Sequence, residues 1–222
     1  MAYYRRNYRR RYRRRRYRKK RGGNDYLSTA MKALSLAKYL KTLINVERKY
    51  VDNQASTTIS NTWQAVLLNG IAEGDGENAR DGNTVKAMSN LCRLQLKING
   101  SATYSRVRVV LVRYKPNHGQ TSPIVAQLFQ DTADILSPLN KDYVGDYKIY
   151  FDKIYTMSVN NDSANIQLNK FMKGLKFHTR YSGTSNASTS LSMNGLWLCL
   201  LSDEATNTPT YDLYNRFNYV DN

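Results

Sequence analysis

The first 21 residues combine thirteen Arg and Lys with five Tyr and contain no acidic residue. Arginine forks pair with phosphate oxygens, and tyrosine rings stack on unpaired bases of any identity. This pattern predicts a segment that binds single-stranded nucleic acid without sequence preference and with a strong dependence on salt. The predicted contacts are Arg5, Arg6, Arg9, Arg10, Arg11, Arg13, Arg14, Arg15, Arg16, Arg18, Lys19, Lys20 and Arg21 for phosphates, with Tyr8, Tyr12 and Tyr17 for bases.

Dense like charge also predicts that this arm, residues 1–24, is disordered when no polyanion neutralises it. The run ends at Gly22-Gly23-Asn24, which we interpret as a flexible linker. A nuclear localisation signal is an overlapping use of the same basic cluster. A merely solvated tail is the alternative interpretation.

The basic character belongs to this arm and not to the rest of the chain. The 222 residues carry 34 Lys and Arg against 17 Asp and Glu, a formal net charge of +17. Beyond residue 21 there are 21 basic and 17 acidic residues, an excess of +4. No stretch approaches the roughly 18 consecutive apolar residues of a spanning helix, so we expect no membrane insertion. No apolar region follows the N-terminal charge, so we expect no secretory signal.

Catalytic and cofactor motifs are not found in the sequence, and we predict that the protein is not an enzyme. The two cysteines, Cys92 and Cys199, and the two histidines, His118 and His178, lack metal-ligand or nucleophile spacing. The acidic loop with Glu73, Asp75 and Glu77 is interpreted as a structural turn. A structural cation bound by its oxygens is the alternative.

A stretch of helical periodicity, residues 25–44, follows the linker. Its apolar positions predict one amphipathic helix. Lys32, Lys38 and Lys41 lie off the main apolar arc, so we predict them as secondary nucleic-acid contacts, with simple solvation as the equal alternative. His178 shares a predicted strand face with Lys176 and Arg180, which indicates either a basic inner surface or an ordinary exposed strand.

Residues 45–222 read as a β domain of about eight short strands. The clearest is 91–98, where apolar and polar residues alternate. The others are predicted at 46–52, 62–68, 106–114, 147–157, 165–181 with a bend near Gly174, 191–201 and 211–220. A short helix is predicted at 123–129, inside the one long connection, 117–146. Eight strands with unequal loops predict an all-β double-sheet sandwich, of which the jelly roll is the eight-stranded version.

This organisation resembles the coat proteins of circular single-stranded DNA viruses that encode a rolling-circle replication initiator and, more distantly, the satellite tobacco necrosis virus coat protein. The resemblance rests on the arm, on KALSLAKYLKTLINVERKYVD at 32–52, and on LNGIAEGDGENARDGNTVKA at 68–87. The last stretch contains a Gly-Asp-x-x-x-x-Arg-x-Gly loop at Gly74, Asp75, Arg80 and Gly82. The run 143–157 is also similar. Glu73 departs from the glutamine that the family often has there.

The resemblance implies an all-β jelly roll whose eight strands form two four-stranded antiparallel sheets. It also implies a virion protein of which about 60 copies close into a T=1 icosahedral shell. The arm would bind packaged single-stranded DNA inside the shell, and assembly would take place in the host nucleus. Thirteen cations per copy would supply roughly 780 charges, enough for about a thousand nucleotides. Host nuclear import factors and a cell receptor are implied as further partners. The alternative is a cellular or satellite-virus RNA-binding β-domain protein with a basic tail.

Overall fold

The computed structural model describes residues 26–39, 48–116 and 119–221. Residues 26–39 form a helix, α1, whose residues are all exposed. This lies inside the predicted helix 25–44, and the predicted boundaries at residues 24 and 44 fall outside the described ranges. Within those ranges, no helix is long and apolar enough to cross a membrane. Helix α1 and the β body, 48–221, belong to two separate units of the chain.

Nine strands and one short helix make up the described part of the β body. They are β1 Arg48–Thr58, β2 Gln64–Leu67, β3 Thr84–Lys97, β4 Tyr104–Pro116, α2 Val125–Leu128, β5 Tyr147–Ser158, β6 Asn165–Lys173, β7 His178–Tyr181, β8 Leu191–Ser202 and β9 Thr210–Asp221. Three single-turn 3₁₀ segments, Lys141–Tyr143, Asp162–Ala164 and Ser188–Ser190, lie in the connections. The short helix α2 confirms the helix predicted within 123–129.

The strand pairing defines a jelly roll. The first sheet runs β1-β9-β3-β6 and the second runs β2-β8-β4-β5, and every neighbouring pair is antiparallel. In both sheets, strands that are distant in sequence lie side by side, as Greek-key connections require. The predicted all-β fold with two four-stranded sheets is therefore confirmed.

The short strand β7 joins the two sheets at one corner. It pairs with β3 at one edge and with β8 at the other. The sequence predicts a single bent strand over 165–181, whereas the structure divides it into β6 and β7. The division follows from the backbone, because Gly174 has φ 67° and Lys176 has φ 53°. Both values lie in the left-handed region, which interrupts an extended strand.

Strands β3 and β1 extend furthest beyond their predicted bounds. Strand β3 begins at Thr84, seven residues before the predicted start. The alternating pattern misses this part of the strand because a bulge between Ala87 and Ser89 shifts the alternation by one position. Strand β1 continues through Asn53 to Thr58, since an edge strand with one solvated face tolerates polar residues there.

The main core lies between the two sheets and is built from alternating inward side chains. Its fully buried members include Leu96, Leu111, Leu198 and Phe217, with Tyr219 beside them. A side chain of this size contributes about 1.5–3 kcal/mol when it is withdrawn from water.

A second apolar cluster covers the outer face of the second sheet. Phe129, from the long connection, is fully buried and stacks on Trp63 with ring centroids 4.4 Å apart. Val112 of β4 and Trp197 of β8 pack beneath them. Strands β4 and β8 are thus buried on both faces by their own chain, which explains the continuous apolar run 196–201 without contact to another copy.

Candidate nucleic-acid interface

The arm that carries most of the predicted contacts lies outside the described residues, as does Lys41. That set comprises Arg5, Arg6, Arg9, Arg10, Arg11, Arg13, Arg14, Arg15, Arg16, Arg18, Lys19, Lys20, Arg21, Tyr8, Tyr12 and Tyr17. Lys32 and Lys38 lie on α1, and both are exposed. These contacts remain predictions.

A basic surface, of which the sequence pattern predicts only the part at His178 and Arg180, lies on the outer side of the first sheet. Alternation along β1, β9, β3 and β6 sends every second side chain inward and leaves the others outward. Strand β7 extends this surface beside β3. We call it the open face. Its charged members are Arg48, Lys86, Arg93, Lys97, Lys173, Arg180 and Arg216, with Asp52 and Asp212 as the acids.

The acid Asp52 on the open face is neutralised by Arg216, its partner on the neighbouring strand. Arg216 Nε donates to Asp52 Oδ1 and a terminal nitrogen donates to Oδ2, both at 2.7 Å. The hydroxyl of Tyr214 donates to the same carboxylate at 3.0 Å. These donors, chiefly Arg216, lower the pKa of Asp52.

The second acid, Asp212, is neutralised in the same way. Lys97 donates to its carboxylate, and Ser56 Oγ donates to Oδ1 at 2.5 Å. The hydrogen bond from Lys97 is the larger cause of a lowered pKa at Asp212, and that from Ser56 is the smaller. Both acids of the open face are therefore already paired within it.

The other cations of the open face have no acidic partner among the residues that the structure describes. They are Arg48, Lys86, Arg93, Lys173 and Arg180. Two exposed aromatic side chains lie on the same surface. Phe171 is 57% exposed, and Tyr50 is 40% exposed with the Arg216 guanidinium 4.5 Å from its ring centre. Free cations beside exposed rings are the chemistry that recognises single strands.

The opposite side of the sandwich has the reverse charge. The part of the long connection that covers the second sheet, residues 119–146, holds four Asp and one Lys. The body is thus basic on the open face and acidic on its covered side, and its small net charge hides this separation.

The predicted stripe of Lys176, His178 and Arg180 is brought to the open face only in part. His178 and Arg180 are exposed on β7, and His178 pairs with Lys86 of β3. Lys176 precedes the strand and has a left-handed backbone, so the regular alternation does not include it.

The Gly-Asp-x-x-x-x-Arg-x-Gly loop folds around a buried arginine. The side chain of Arg80 is fully buried, and its Nε donates to the Ile71 carbonyl at 3.2 Å. One terminal nitrogen donates to the Gly82 carbonyl at 2.6 Å, and the other donates to the Gly183 carbonyl. Arg80 therefore fastens loop 70–83 to loop 182–190, which is a structural function.

The acidic residues near this loop do not converge on one point. Glu73 lies 3.5 Å from Arg80 and forms an ion pair with it. Glu73, Asp75, Asp81 and Thr184 border a shallow depression. Within the described ranges, no group of three or more His, Cys, Asp or Glu is placed to hold a metal ion. A cation at Glu73, Asp75 and Glu77 remains a prediction.

Neither cysteine is available for thiol chemistry. Cys92 and Cys199 are buried and unpaired, and burial raises the pKa of each thiol to about 12. The thiolate, which is the reactive form, is therefore scarce near neutral pH.

No protein-family model and no curated protein matches the chain. Solved structures match at low similarity, and viral capsid proteins are among them. A chain of the Cowpea Mosaic Virus empty particle has TM-score 0.38 and 11% identity over 77% of this chain and 82% of its own. The BFDV capsid protein has TM-score 0.36 and 4% identity, over 80% of this chain and 100% of its own. A chain of Desmodium yellow mottle tymovirus has TM-score 0.34 and 8% identity, over 78% of this chain and 88% of its own.

Bacterial proteins also match, including latent PorU from Porphyromonas gingivalis with TM-score 0.32. Such scores carry no argument about function. The jelly-roll assignment rests on the strand pairing of this chain.

Proposed function

We propose that this chain is a viral coat protein that assembles into a closed T=1 shell of about 60 copies and packages a circular single-stranded DNA genome through its arm. One observation carries the proposal: a jelly-roll body is joined to an arm that has thirteen cations and no acidic residue. A body that builds a wall needs a separate segment to hold a polyanion, and the arm supplies one.

The preference for a single strand follows from stiffness and stacking. Bending a duplex inside a small shell costs elastic energy, whereas a single strand folds freely. Unpaired bases are also free to stack on Tyr8, Tyr12 and Tyr17. The arm also acts as a nuclear localisation signal, so assembly takes place in the nucleus and the product is the virion.

Electron microscopy of the purified full chain, combined with sedimentation, tests the assembly. We expect uniform closed particles at moderate salt. A chain that stays monomeric at all salt concentrations yet binds RNA would contradict the coat assignment and support the cellular RNA-binding alternative.

The nuclear localisation signal has a separate test. Residues 1–24 fused to a fluorescent protein should concentrate it in the nucleus. The same fusion with the eleven cations between Arg9 and Arg21 replaced by Gln should stay evenly distributed. Equal distributions of the two fusions would contradict this part of the proposal.

A further inference from the structure

We propose that the open face is a second nucleic-acid-binding surface, on which Arg93, Lys173 and Arg180 hold phosphates of a single strand and Phe171 stacks on a base. The inference rests on the proposed function in one respect, because its ligand is the same single strand that the arm binds.

The charge of the open face is the first argument. Its two acids are already bound to Arg216 and Lys97. Five further cations then remain for an external anion, and no carboxylate within the described ranges pairs with them. Such a patch attracts a polyanion and releases condensed counterions when it binds one.

The spacing of the side chains along the sheet is the second argument. Arg93 lies opposite Asn169 of β6, and Phe171 and Lys173 follow at two-residue intervals on the same outward side. Each interval is about 7 Å of strand. A single strand that lies along β6 therefore meets a cation, a ring and a cation in turn.

The exposure of this surface among the described residues of the β body is the third argument. The second sheet is covered by the connection that carries Phe129, whereas Phe171 of the first sheet is 57% exposed. An exposed phenylalanine between cations offers a stacking platform to any base.

The entry of the chain into the body is the fourth argument. Strand β1 begins at Arg48, in the same cross-strand row as Lys86 and His178. The chain therefore enters the described β body at one end of the open face.

The rival occupant is the acidic connection 119–146 of a second copy, which has the complementary charge. The polyanion is favoured for two reasons. The four Asp of this connection are spread over 28 residues and are fewer than the five free cations, and the connection gives no reason for an exposed stacking ring.

Anisotropy of a labelled 20-nucleotide oligo(dT) with the full chain tests the inference. The face variant carries Arg93→Gln, Lys173→Gln and Arg180→Gln. The control variant carries Lys141→Gln, Lys148→Gln and Lys153→Gln, which remove the same charge away from the open face. The slope of log affinity against log salt concentration should be about 2 units less negative in the face variant than in the parent chain. Its affinity at 0.1 M salt should fall at least ten-fold, against less than three-fold for the control.

Phe171→Ala should weaken oligo(dT) binding at least five-fold at any salt concentration. Leu136→Ala, a side chain 61% exposed on the covered side, should leave it unchanged. Circular dichroism and the melting temperature of each variant verify the fold, which these exposed positions should not disturb.

A third charge variant, Arg13→Gln with Arg14→Gln and Arg15→Gln, separates this inference from the proposed function. If that variant keeps its oligo(dT) affinity while the face variant is weakened, the result would contradict nucleic-acid binding by the arm and support binding by the open face. A face variant that behaves like the control would overturn the inference. A face variant that alters self-association without nucleic acid, and keeps its oligo(dT) affinity, would assign the face to a second copy and also overturn it.

Discussion

The guanidinium of Arg80 lies 4.5 Å from the centre of the Tyr181 ring, and both side chains are buried. The hydroxyl of Tyr181 donates to the Asn69 carbonyl at 2.7 Å, while Arg80 reaches the carbonyls of Ile71 and Gly183. One cation and one ring therefore hold together two loops that the sequence separates by about a hundred residues.

Arg80→Met should lower the free energy of unfolding by about 3 kcal/mol or more, because buried carbonyls lose their charged donor. Urea denaturation of the full chain measures the change. Arg93→Met removes an exposed guanidinium and should shift stability by less than about 0.5 kcal/mol. Equal unfolding midpoints for the two variants would contradict the structural role of Arg80.

Gly70→Ala should destabilise the same junction through a steric clash. A Cβ at Gly70 would lie 2.3 Å from the Asn186 carbonyl oxygen, so loop 182–190 must move. We expect a loss of about 1–3 kcal/mol in thermal or urea unfolding. Gly100→Ala is the matched control, because a Cβ there meets no atom within 4 Å. If both variants unfold alike, the two loops are not in contact.

The ion pair between Asp52 and Arg216 predicts a pH-dependent stability. Arg216 lowers the pKa of Asp52 in the folded state. The pair therefore stabilises the fold fully at pH values above 3.8, the ordinary pKa of the carboxyl group in the unfolded chain. This contribution is lost as pH falls through the lowered pKa of the folded state. Asp52→Asn should be less stable than the parent by a constant amount at pH 5–7. The two should converge below pH 4, as followed by urea midpoints. A difference that grows toward acid would contradict the assignment.

Much of the fold could be predicted from the sequence, because outward and inward residues alternate along half-buried strands. Strand β3 shows this at Cys92, Leu94 and Leu96, and the turn residues between strands separate one from the next. The prediction of one strand over 165–181 was wrong, since left-handed Gly174 and Lys176 divide it.

Periodicity predicted only the part of the open face at His178 and Arg180. The rest could not be predicted, because the residues that form it come from strands distant in the sequence. Asp52 and Arg216 are 164 positions apart, and only the antiparallel register of β1 and β9 brings them together. The burial of Arg80 was also missed. The acidic, glycine-rich turn around Arg80 has the composition of an exposed loop. The burial of its side chain is evident only from the carbonyl groups that it contacts in the folded structure.

The nucleic acid inside purified particles tests the central claim most directly. Particles of the full chain and of a chain lacking residues 2–21 are treated with nuclease, and the protected nucleic acid is extracted and typed with DNase and RNase. The account predicts single-stranded DNA of about a thousand nucleotides in the full-length particles and none with the truncated chain, whose body keeps its β-sheet spectrum. Equal amounts of protected nucleic acid in the two preparations would contradict the assignment of the arm.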